Sequence, residues 1–449
     1  MTWKGTRALV VGMKKSGMAS VELLVREGAS VRATDLKPLE SLPEAAALLA
    51  QLEVPFALQT PAVFENCDLI VLSPDVPADL PPLADARRRG VKVIGEVELA
   101  APYLRGRVIG ITGSNGKTTT TALIGHILGA ANFPVQVGGN IGTPVTAMVD
   151  SSRPDGWNVL ELSSFQLETI EGFRAHIGLA LNVTQNHLDR HHTFENYAAA
   201  KGRLFETMRE GDFAVLNAAD PVCRSYAQRT RATVEWFGSN EKAGGLALAA
   251  SLCGSSLLLD GRQLLDAAEI PIRGRHNVEN VLAAAIAAAR AGVGPANIAA
   301  AVRTFRAVEH RLEFVRRVSG VDFYNDSKAT SVDAALKALD AFPGNLWVIL
   351  GGKDKGLDYS LLRDPLAAKA HAALLVGAAA PKIAGQLGGA VRLIDSQTID
   401  RAVTQAYHAA QPGDTVLLAP ACASFDQFRS FEHRGEVFKE LVNRLQRRK

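Results

Sequence analysis

A glycine-rich turn that carries a lysine and a threonine lies in the first third of the chain, where residues 107–120 read R-V-I-G-I-T-G-S-N-G-K-T-T-T. Gly113 and Gly116 allow backbone N–H groups to converge on phosphate oxygens. Lys117 can supply charge to terminal phosphates, and the Thr118 hydroxyl can ligate Mg²⁺. The pattern predicts a nucleotide-binding loop between a short strand and a helix, and the helix adds its positive N-terminal end.

The loop departs from the general phosphate-loop pattern, because Ile111 stands where a glycine is expected five residues before Gly116. A plain strand-to-helix connection is therefore an alternative. The apolar stretch 108–111 directly before the turn favours the phosphate-binding interpretation. On that interpretation Ser114, Asn115 and Thr119 also belong to the ATP-binding residues.

Polar side chains also follow two other predicted strands. Residues 157–160 form an apolar run that ends at Glu161, and residues 177–183 form another that leads to His187. Oxygen ligands at the ends of parallel strands beside a nucleotide suit a hard cation, so Glu161 is a candidate magnesium ligand. The alternatives are a helix-capping glutamate and a surface histidine, but Asp189 close to His187 favours a metal-ligand role for the histidine.

A lysine lies on a predicted helix further along. Residues 194–205 have helical periodicity, with Tyr197, Lys201 and Leu204 on one face. Taken by itself, Lys201 would be an ordinary solvated helix lysine.

The first hundred residues suggest a dinucleotide-binding arrangement. A strand at 8–11 leads into the turn 12–17, and a second strand ends at Asp35. Lys14 replaces the middle glycine, which weakens an NAD interpretation because the backbone cannot approach a pyrophosphate as closely. Side chains of the turn could still contact a diphosphate, or the turn could bind nothing.

Two further segments suggest ligand contacts. The glycine-dense segment 137–144 predicts an irregular loop in which Asn140 is the strongly polar side chain. Residues 276–280 read H-N-V-E-N and begin an alanine-rich helix, where the asparagines could merely cap the helix.

The bulk composition limits the class of protein. The 449 residues suggest about three domains, and 47% hydrophobic with 21% charged residues fits a globular protein. A net charge of +3 and no concentrated basic patch argue against nucleic acid as a partner. The four cysteines lack metal-binding or paired spacing, and no apolar run is long enough for a bilayer, so we expect a cytoplasmic protein that does not bind membranes. We also expect a monomer.

We predict an α/β protein with three domains. A Rossmann-like domain covers 1–104, and a central P-loop ATPase-like domain with a mostly parallel sheet covers 105–307 and binds ATP. A second Rossmann-like domain covers 308–449. Strands 321–325, 346–351 and 416–418 in the last region each lead into a loop rich in polar or glycine residues.

Taken together, the motifs resemble the Mur ligase superfamily, which includes the peptidoglycan precursor ligases and folylpolyglutamate synthase. The resemblance rests on T-G-S-N-G-K-T-T, E-L-S-S-F-Q-L-E, N-H-L-D-R-H, the Y-x-x-x-K helix, H-N-V-E-N, E-H-R-L-E, N-D-S-K-A-T and A-P-A-C-A-S-F-D-Q-F. It implies an ATP-dependent ligase that adds D-glutamate to UDP-N-acetylmuramoyl-L-alanine through an acyl phosphate, with two Mg²⁺ ions. Another Mur ligase step or a folylpolyglutamate synthase-like ligase is the alternative, and a nucleotide-gated binding protein without a ligase step is a third. The sequence lacks the D-N-P-R segment of the enzymes that add diaminopimelate or lysine.

The resemblance also implies that the first domain binds the uridine diphosphate substrate and the last domain the amino acid, and it implies residue roles. Lys201 would be carbamoylated and would hold metal together with Thr118, Glu161 and His187. Lys117, Glu161, His187 and Lys201 would be catalytic. ATP would be bound by Asn277, which we favour over Asn280, by Arg311 across a closing cleft, and by Asp326 and Lys328. The UDP substrate would be bound by Lys14, Lys15, Ser16, Asp35, Asn140 and His187.

The loops at strand ends in the last domain are left for the amino acid. D-glutamate needs a cation and hydroxyl donors for its side-chain carboxylate, and an apolar wall for its methylenes. Lys355 can supply the charge, Thr330 and Ser424 the donors, and Phe425 and Phe431 the aromatic surface. Alternatively, Lys355 is a solvated turn lysine and Ser424 a helix cap. The G-K-D-K sequence at 352–355 departs from the more frequent G-D-G-K, so no role is assigned to Lys353.

Overall fold

The computed structural model describes residues 3–239, 243–272, 274–306 and 308–446, with the side chain of Asp189 outside the description. The chain divides into two compact units. The first contains Met1–Glu269 and Val278–Thr304, and the second contains Ile270–Asn277 and Phe305–Lys449.

The first unit begins with a five-stranded parallel sheet in the order β3-β2-β1-β4-β5. This is the strand order of a dinucleotide-binding domain, in which successive strands are added on one side of β1 up to β3 and on its other side from β4 onwards. The elements are β1 (Arg7–Val11), α1 (Lys15–Arg26), β2 (Ser30–Asp35), α2 (Pro43–Gln51), β3 (Phe56–Leu58), β4 (Leu69–Leu72), α3 (Pro81–Arg88), β5 (Lys92–Gly95) and α4 (Glu96–Ala100).

The apolar runs of this sheet form strands that are buried on both faces. All four residues of β4 and the last four of β1 are buried, as expected for a parallel sheet covered on both faces by helices. At the turn after β1, a Cβ on Gly17 would lie 1.8 Å from the Gly12 carbonyl oxygen, so the start of α1 can approach the strand only with glycine there.

The second sheet of this unit has the order β14-β13-β12-β11-β10-β9-β6-β8-β7. Strands β7 to β12 pair in parallel, and β12 to β14 form an antiparallel extension. The elements are β6 (Arg107–Thr112), α5 (Lys117–Ala130), β7 (Val135–Gly139), β8 (Trp157–Glu161), α6 (Ser164–Leu167), β9 (Ile177–Ala180), α7 (Leu188–His191), α8 (Phe194–Glu206), β10 (Phe213–Asn217), α9 (Pro221–Ser225), β11 (Thr233–Ser239), β12 (Leu248–Cys253), β13 (Ser256–Leu259), β14 (Arg262–Asp266), α10 (Arg275–Arg290) and α11 (Pro295–Thr304).

The prediction that the glycine-dense segment 137–144 is irregular throughout was wrong for its first three residues, which lie in β7. Gly138 and Gly139 pair in parallel with Leu160 and Glu161 of β8. A Cβ on Gly139 would lie 2.4 Å from the Glu161 carbonyl oxygen. The glycines therefore permit a close approach of two backbones within a sheet rather than mark its end.

The second unit contains a six-stranded sheet in the order β15-β16-β20-β17-β18-β19, in which β15 is antiparallel to β16 and the other pairs are parallel. Its elements are β15 (Glu313–Val318), β16 (Val321–Asn325), α12 (Val332–Asp340), β17 (Leu346–Gly351), α13 (Arg363–Lys369), β18 (Ala370–Val376), α14 (Ala380–Leu387), β19 (Leu393–Gln397), α15 (Ile399–Ala409), β20 (Thr415–Leu418) and α16 (Phe431–Arg444). The predicted α/β class with mostly parallel sheets is confirmed. Within the described ranges, no helix has both the length and the apolar character to cross a membrane.

Candidate active site

The turn between β6 and α5 has the geometry of a phosphate-binding loop. Gly113 and Gly116 have φ values of 150° and 83°, which side chains rarely adopt, and Gly116 directly precedes the first residue of α5. The Lys117 ammonium group donates to the carbonyl oxygens of Gly113 at 2.8 Å and Ser114 at 3.2 Å. The lysine thus lies across the loop, beside the helix N-terminus where phosphates bind.

An asparagine that sequence reasoning missed holds the loop in place. Asn182 follows β9, the neighbour of β6, and its side chain accepts from Asn115 N at 2.9 Å and donates to Asn115 O at 3.1 Å. Its carbonyl oxygen accepts from Ser114 N at 2.8 Å. A polar residue just after an apolar strand was the available signal, but its pairing with the loop depends on strand order.

Lys201 lies against the same loop rather than in solvent. It is 1% exposed, donates to the Gly113 carbonyl oxygen at 2.9 Å, and its Nζ lies 4.6 Å from the centre of the Tyr197 ring. Burial, and secondarily repulsion from Lys117, lowers the Lys201 pKa well below its usual range. The Tyr197 hydroxyl lies 2.9 Å from Ser114 Oγ, so helix α8 is tied to the loop at both residues.

Glu161 ends β8, immediately beside β6, and pairs in register with Ile111. Its Oε1 accepts from Asn140 Nδ2 at 2.9 Å, which brings together two of the predicted site residues. Its Oε2 is buried and, in the part of the chain that the structure describes, has no hydrogen-bond partner. A buried acceptor without a donor is the kind of atom that a cation would satisfy.

His187 is held by aromatic contacts near this edge of the sheet. Its φ is 53°, and its ring lies 5.0 Å from the Phe165 ring in an edge-to-face arrangement and 6.3 Å from that of Tyr197. Among the described side chains, no three His, Cys, Asp or Glu residues cluster as a metal site. The donor set of Thr118, Glu161, His187 and modified Lys201 stays a prediction.

Thr118 and Thr119 are both buried in the first turn of α5. Asn280 lies against the loop, since a Cβ added to Gly116 would be 2.4 Å from Asn280 Oδ1. Asn277 is also buried, but it belongs to the second compact unit. The helical spacing of the two asparagines was visible in the sequence, and the structure identifies Asn280 as the one in the unit of the phosphate loop.

The first glycine turn is organised by Asp35. Its carboxylate accepts from Met13 N at 2.7 Å and from Lys37 N at 2.9 Å. Lys14 forms an exposed ion pair with Asp75 at 2.5 Å. Lys15 and Ser16 begin α1, and the Ser16 carbonyl oxygen accepts from Ser20 Oγ.

In the second unit, Asp326 is buried close to the start of the domain. Burial raises its pKa to about 6, although the nearby Arg311 charge acts in the opposite direction. Its Oδ1 accepts from Leu312 N at 3.3 Å. Lys328, two residues later, lies over the Phe431 ring, with Nζ 5.7 Å from the ring centre.

The loops proposed for the amino acid follow β16, β20 and β17, which are adjacent strands. Lys355 Nζ lies 3.4 Å from the Thr330 carbonyl oxygen. Ser424 is buried, whereas Phe425 is 67% exposed. The shared edge therefore brings a cation, hydroxyl groups and an aromatic surface to neighbouring loops.

A buried arginine joins two of these loops. Arg434 is 2% exposed and donates to Ser327 Oγ at 2.9 Å, to the Ser327 carbonyl oxygen at 2.8 Å and to the Cys422 carbonyl oxygen at 3.2 Å. Burial lowers its pKa to about 10. Sequence reasoning missed it because α16 is an amphipathic helix in which an arginine is unremarkable.

The fold and the loop define a class of ATP-using ligases, and the chain belongs to the Mur ligase family. It matches the MurD-like N-terminal domain over residues 6–95, the Mur ligase middle domain over 111–288 and the glutamate ligase domain over 310–422.

Two curated relatives carry a more specific name. The chain is 74% identical to UDP-N-acetylmuramoylalanine–D-glutamate ligase of Solibacter usitatus, covering 99% of each chain. It is 52% identical to the enzyme of the same name from Acidobacterium capsulatum, covering 98% of this chain and 97% of the other. A solved UDP-N-acetylmuramate-alanine ligase from Thermotoga maritima shares the fold, with a TM-score of 0.61 at 19% identity over 98% of this chain and 99% of the other.

Proposed function

We propose that this protein joins D-glutamate to UDP-N-acetylmuramoyl-L-alanine at the expense of ATP, a step in the synthesis of peptidoglycan precursors. The observation that carries the proposal is the 74% identity to a D-glutamate ligase over 99% of both chains. The buried lysine at the phosphate loop and the three loops at one edge of the last sheet agree with that activity.

The reaction requires activation of a carboxylate. A terminal alanine carboxylate oxygen attacks the γ-phosphorus of ATP, giving an acyl phosphate and ADP. The neutral amine of D-glutamate then attacks the acyl carbon, the amide bond forms, phosphate leaves and the amine loses a proton. Because anions must meet, Lys117 has the role of stabilising charge on the transferred phosphoryl group.

Mg²⁺ would neutralise phosphate charge and orient the phosphoryl group in this chemistry. We assign Thr118, Glu161, His187 and modified Lys201 to hold two ions. The buried Oε2 of Glu161, without a donor among the described residues, supports the assignment because it is an acceptor in need of a cation.

We further propose that Lys201 is carbamoylated. A neutral amine reacts with CO₂ to form an N-carboxylate and release a proton, so an uncharged group becomes an anion. Lys201 forms no salt bridge in the described part of the chain, and its lowered pKa favours the neutral amine. The modification would also place a negatively charged group beside the positively charged Lys117.

The remaining assignments stay proposals. We place the uridine diphosphate at the first glycine turn, with Lys14, Lys15, Ser16 and Asp35, and extend that site to Asn140 and His187. ATP contacts are assigned to the phosphate-loop residues together with Asn277, Arg311, Asp326 and Lys328, and D-glutamate contacts to Thr330, Lys355, Ser424, Phe425 and Phe431. We also propose domain boundaries at 104/105 and 307/308, a monomeric state and a cytoplasmic location. Ala307 lies outside the described residues.

The experiment that tests the proposed function measures ADP release with UDP-N-acetylmuramoyl-L-alanine and a panel of amino acids. We expect turnover with D-glutamate and little with L-glutamate, L-alanine, L-lysine or diaminopimelate. Preference for another amino acid would assign a different ligase step. ATP turnover that ignores both the amino acid and the UDP substrate would instead indicate a nucleotide-gated protein without ligase activity.

A further inference from the structure

The side chain of Arg190 connects the two sheets of the first unit. It is 11% exposed, and its guanidinium group donates to the carbonyl oxygens of Val76 at 2.7 Å and Asp75 at 3.3 Å, in the loop after β4. The same group donates to Glu168 Oε2 at 2.9 Å, on the side of the second sheet. One guanidinium group thus forms hydrogen bonds to the loop after β4 and to Glu168 at the same time, which its several N–H donors in a fixed planar arrangement allow.

The guanidinium group also contacts the aromatic cluster that holds His187. Its carbon lies 4.9 Å from the centre of the Phe165 ring. Phe165 in turn packs edge-to-face on His187 and stacks on His191 at 5.5 Å. Since His187 has the left-handed φ of 53°, its position depends on contacts from outside its own backbone.

The other end of the connection is the first glycine turn. Asp75, whose carbonyl oxygen accepts from Arg190, forms the ion pair with Lys14 of that turn. A second contact between the same two parts, His192 with Asp79 at 3.1 Å, is exposed on both sides. Arg190 is therefore the less exposed of these two contacts, and its guanidinium group also lies over Phe165.

We propose that Arg190 is a positioning residue that couples occupancy of the first glycine turn to the placement of His187. The inference rests on the proposed function, because it assigns the uridine diphosphate to the turn and metal binding to His187. A substrate diphosphate at the turn competes with Asp75 for Lys14, the loop 75–76 responds, and Arg190 carries that change to Phe165 and then to His187. A simple structural ion pair with Glu168 would stabilise the fold but would not link substrate to the chemical step.

Kinetics of two substitutions distinguish these roles. In Arg190→Lys the positive charge beside Glu168 is kept, but one ammonium group cannot bond both carbonyl oxygens and cover the Phe165 ring. We expect kcat to fall about tenfold or more in Arg190→Lys and further in Arg190→Ala, with a raised KM for the UDP substrate and a KM for ATP within about twofold of the native value. The matched control is Arg174→Ala, which removes a two-bond pair with Asp212 in the same unit and should lower the melting temperature without changing either KM.

Hydrogen exchange supplies a readout that does not require turnover. In the native protein, UDP-N-acetylmuramoyl-L-alanine should protect backbone amides of residues 186–192, and Arg190→Lys should bind the substrate with little of that protection. The inference would be overturned if Arg190→Lys kept the kcat and the substrate-dependent protection of the native protein. It would also be overturned if Arg190→Lys and Arg190→Ala changed only the melting temperature. If the native protein binds the substrate but makes no amide with any amino acid, the proposed function fails instead, and the protection experiment still decides the coupling.

Discussion

Lys201 is the residue whose setting departs furthest from ordinary lysine behaviour. A buried ammonium group without a salt bridge in the described part of the chain is costly, and the structure places it against the phosphate loop. Carbamoylation would resolve that conflict and supply a metal ligand. The prediction is that Lys201→Ala loses more than about a hundredfold in kcat/KM, equivalent to ~2.7 kcal/mol of transition-state stabilisation, and that short carboxylates partly restore it.

Lys201→Arg is the matched control for that prediction. It keeps a cation at the position but cannot form the carbamate, so it should be as inactive as Lys201→Ala and should not respond to carboxylates. In the native protein, ¹³C-labelled bicarbonate should give a carbamate resonance that is absent from both variants. An active native enzyme without that resonance would contradict the modification.

Lys355 tests the amino-acid pocket. It lies at the edge of the last sheet near Thr330, where a D-glutamate side-chain carboxylate would find a cation. Loss of a charge-assisted hydrogen bond costs ~1.5–3 kcal/mol, so Lys355→Ala should raise the KM for D-glutamate by roughly 10- to 150-fold. The KM values for ATP and the UDP substrate should change little in steady-state assays.

Lys369→Ala is the control for Lys355. Its ammonium group contacts the Leu339 carbonyl oxygen and Asp340, and it ends the helix that precedes β18, whereas Lys355 follows the carboxyl end of β17. It should leave the D-glutamate KM unchanged. Equal effects of the two substitutions, or no effect of Lys355→Ala, would place the pocket elsewhere.

Residues whose position follows from local pattern could be predicted from the sequence. Gly113, Gly116 and Lys117 lie within one short turn, and Glu161 ends an apolar strand. Asn182 and Arg190 could not be predicted in the same way, because their partners lie 67 and 114 residues away. Their roles depend on which strands are neighbours, which local pattern does not specify.

Among the secondary-structure elements, α4 is joined by hydrogen bonds to the segment that follows β7. Glu96, the first residue of α4, forms these bonds. Its Oε1 accepts from Thr146 N at 2.6 Å and Thr146 Oγ1 at 2.9 Å, and Oε2 is buried without a hydrogen-bond partner among the described residues. Burial raises the Glu96 pKa from 4.5 to about 7, and the Thr146 hydrogen bonds only partly oppose that shift.

This carboxyl group makes stability depend on pH. Between pH 4.5 and 7 the folded protein keeps a proton on Glu96 that the unfolded chain has released, so the free energy of unfolding falls as pH rises, by at most on the order of 3 kcal/mol. Glu96→Gln removes this contribution and keeps an acceptor for Thr146. We expect urea unfolding at about pH 5 and about pH 8 to show a smaller loss of stability in the variant than in the native protein. Parallel pH dependence of the two proteins would contradict the assignment.

Strands and helices were predictable where apolar residues form a continuous run or recur with the period of a helix. The apolar runs at β1, β4, β6 and β8 and the amphipathic face of α8 occur as the sequence indicated. The prediction failed at β7, since two adjacent glycines are typical of loops and only the neighbouring backbone of β8 explains them. The expected strand 177–183 is likewise shorter, because from Leu181 onwards the backbone turns to the phosphate loop and Asp220.

At the scale of the whole molecule, the three sheets follow the order of the three domain families along the chain. Each mostly parallel sheet presents its candidate ligand-binding loops after the carboxyl ends of its strands. The α/β class was predictable because strands and helices alternate throughout. The strand order within each sheet was not, because periodicity identifies strands but does not pair them.

Formation of the amide by way of an acyl phosphate transfers one carboxylate oxygen of the UDP substrate to the released phosphate, so an isotope label in that carboxylate follows the reaction. UDP-N-acetylmuramoyl-L-alanine labelled with ¹⁸O in the alanyl carboxylate would be incubated with ATP, Mg²⁺ and D-glutamate, and the products analysed by mass spectrometry. We expect the UDP substrate to gain one glutamate residue and one labelled oxygen per turnover to appear in the released phosphate. Amide product accompanied by unlabelled phosphate, or ATP hydrolysis without amide product, would contradict it.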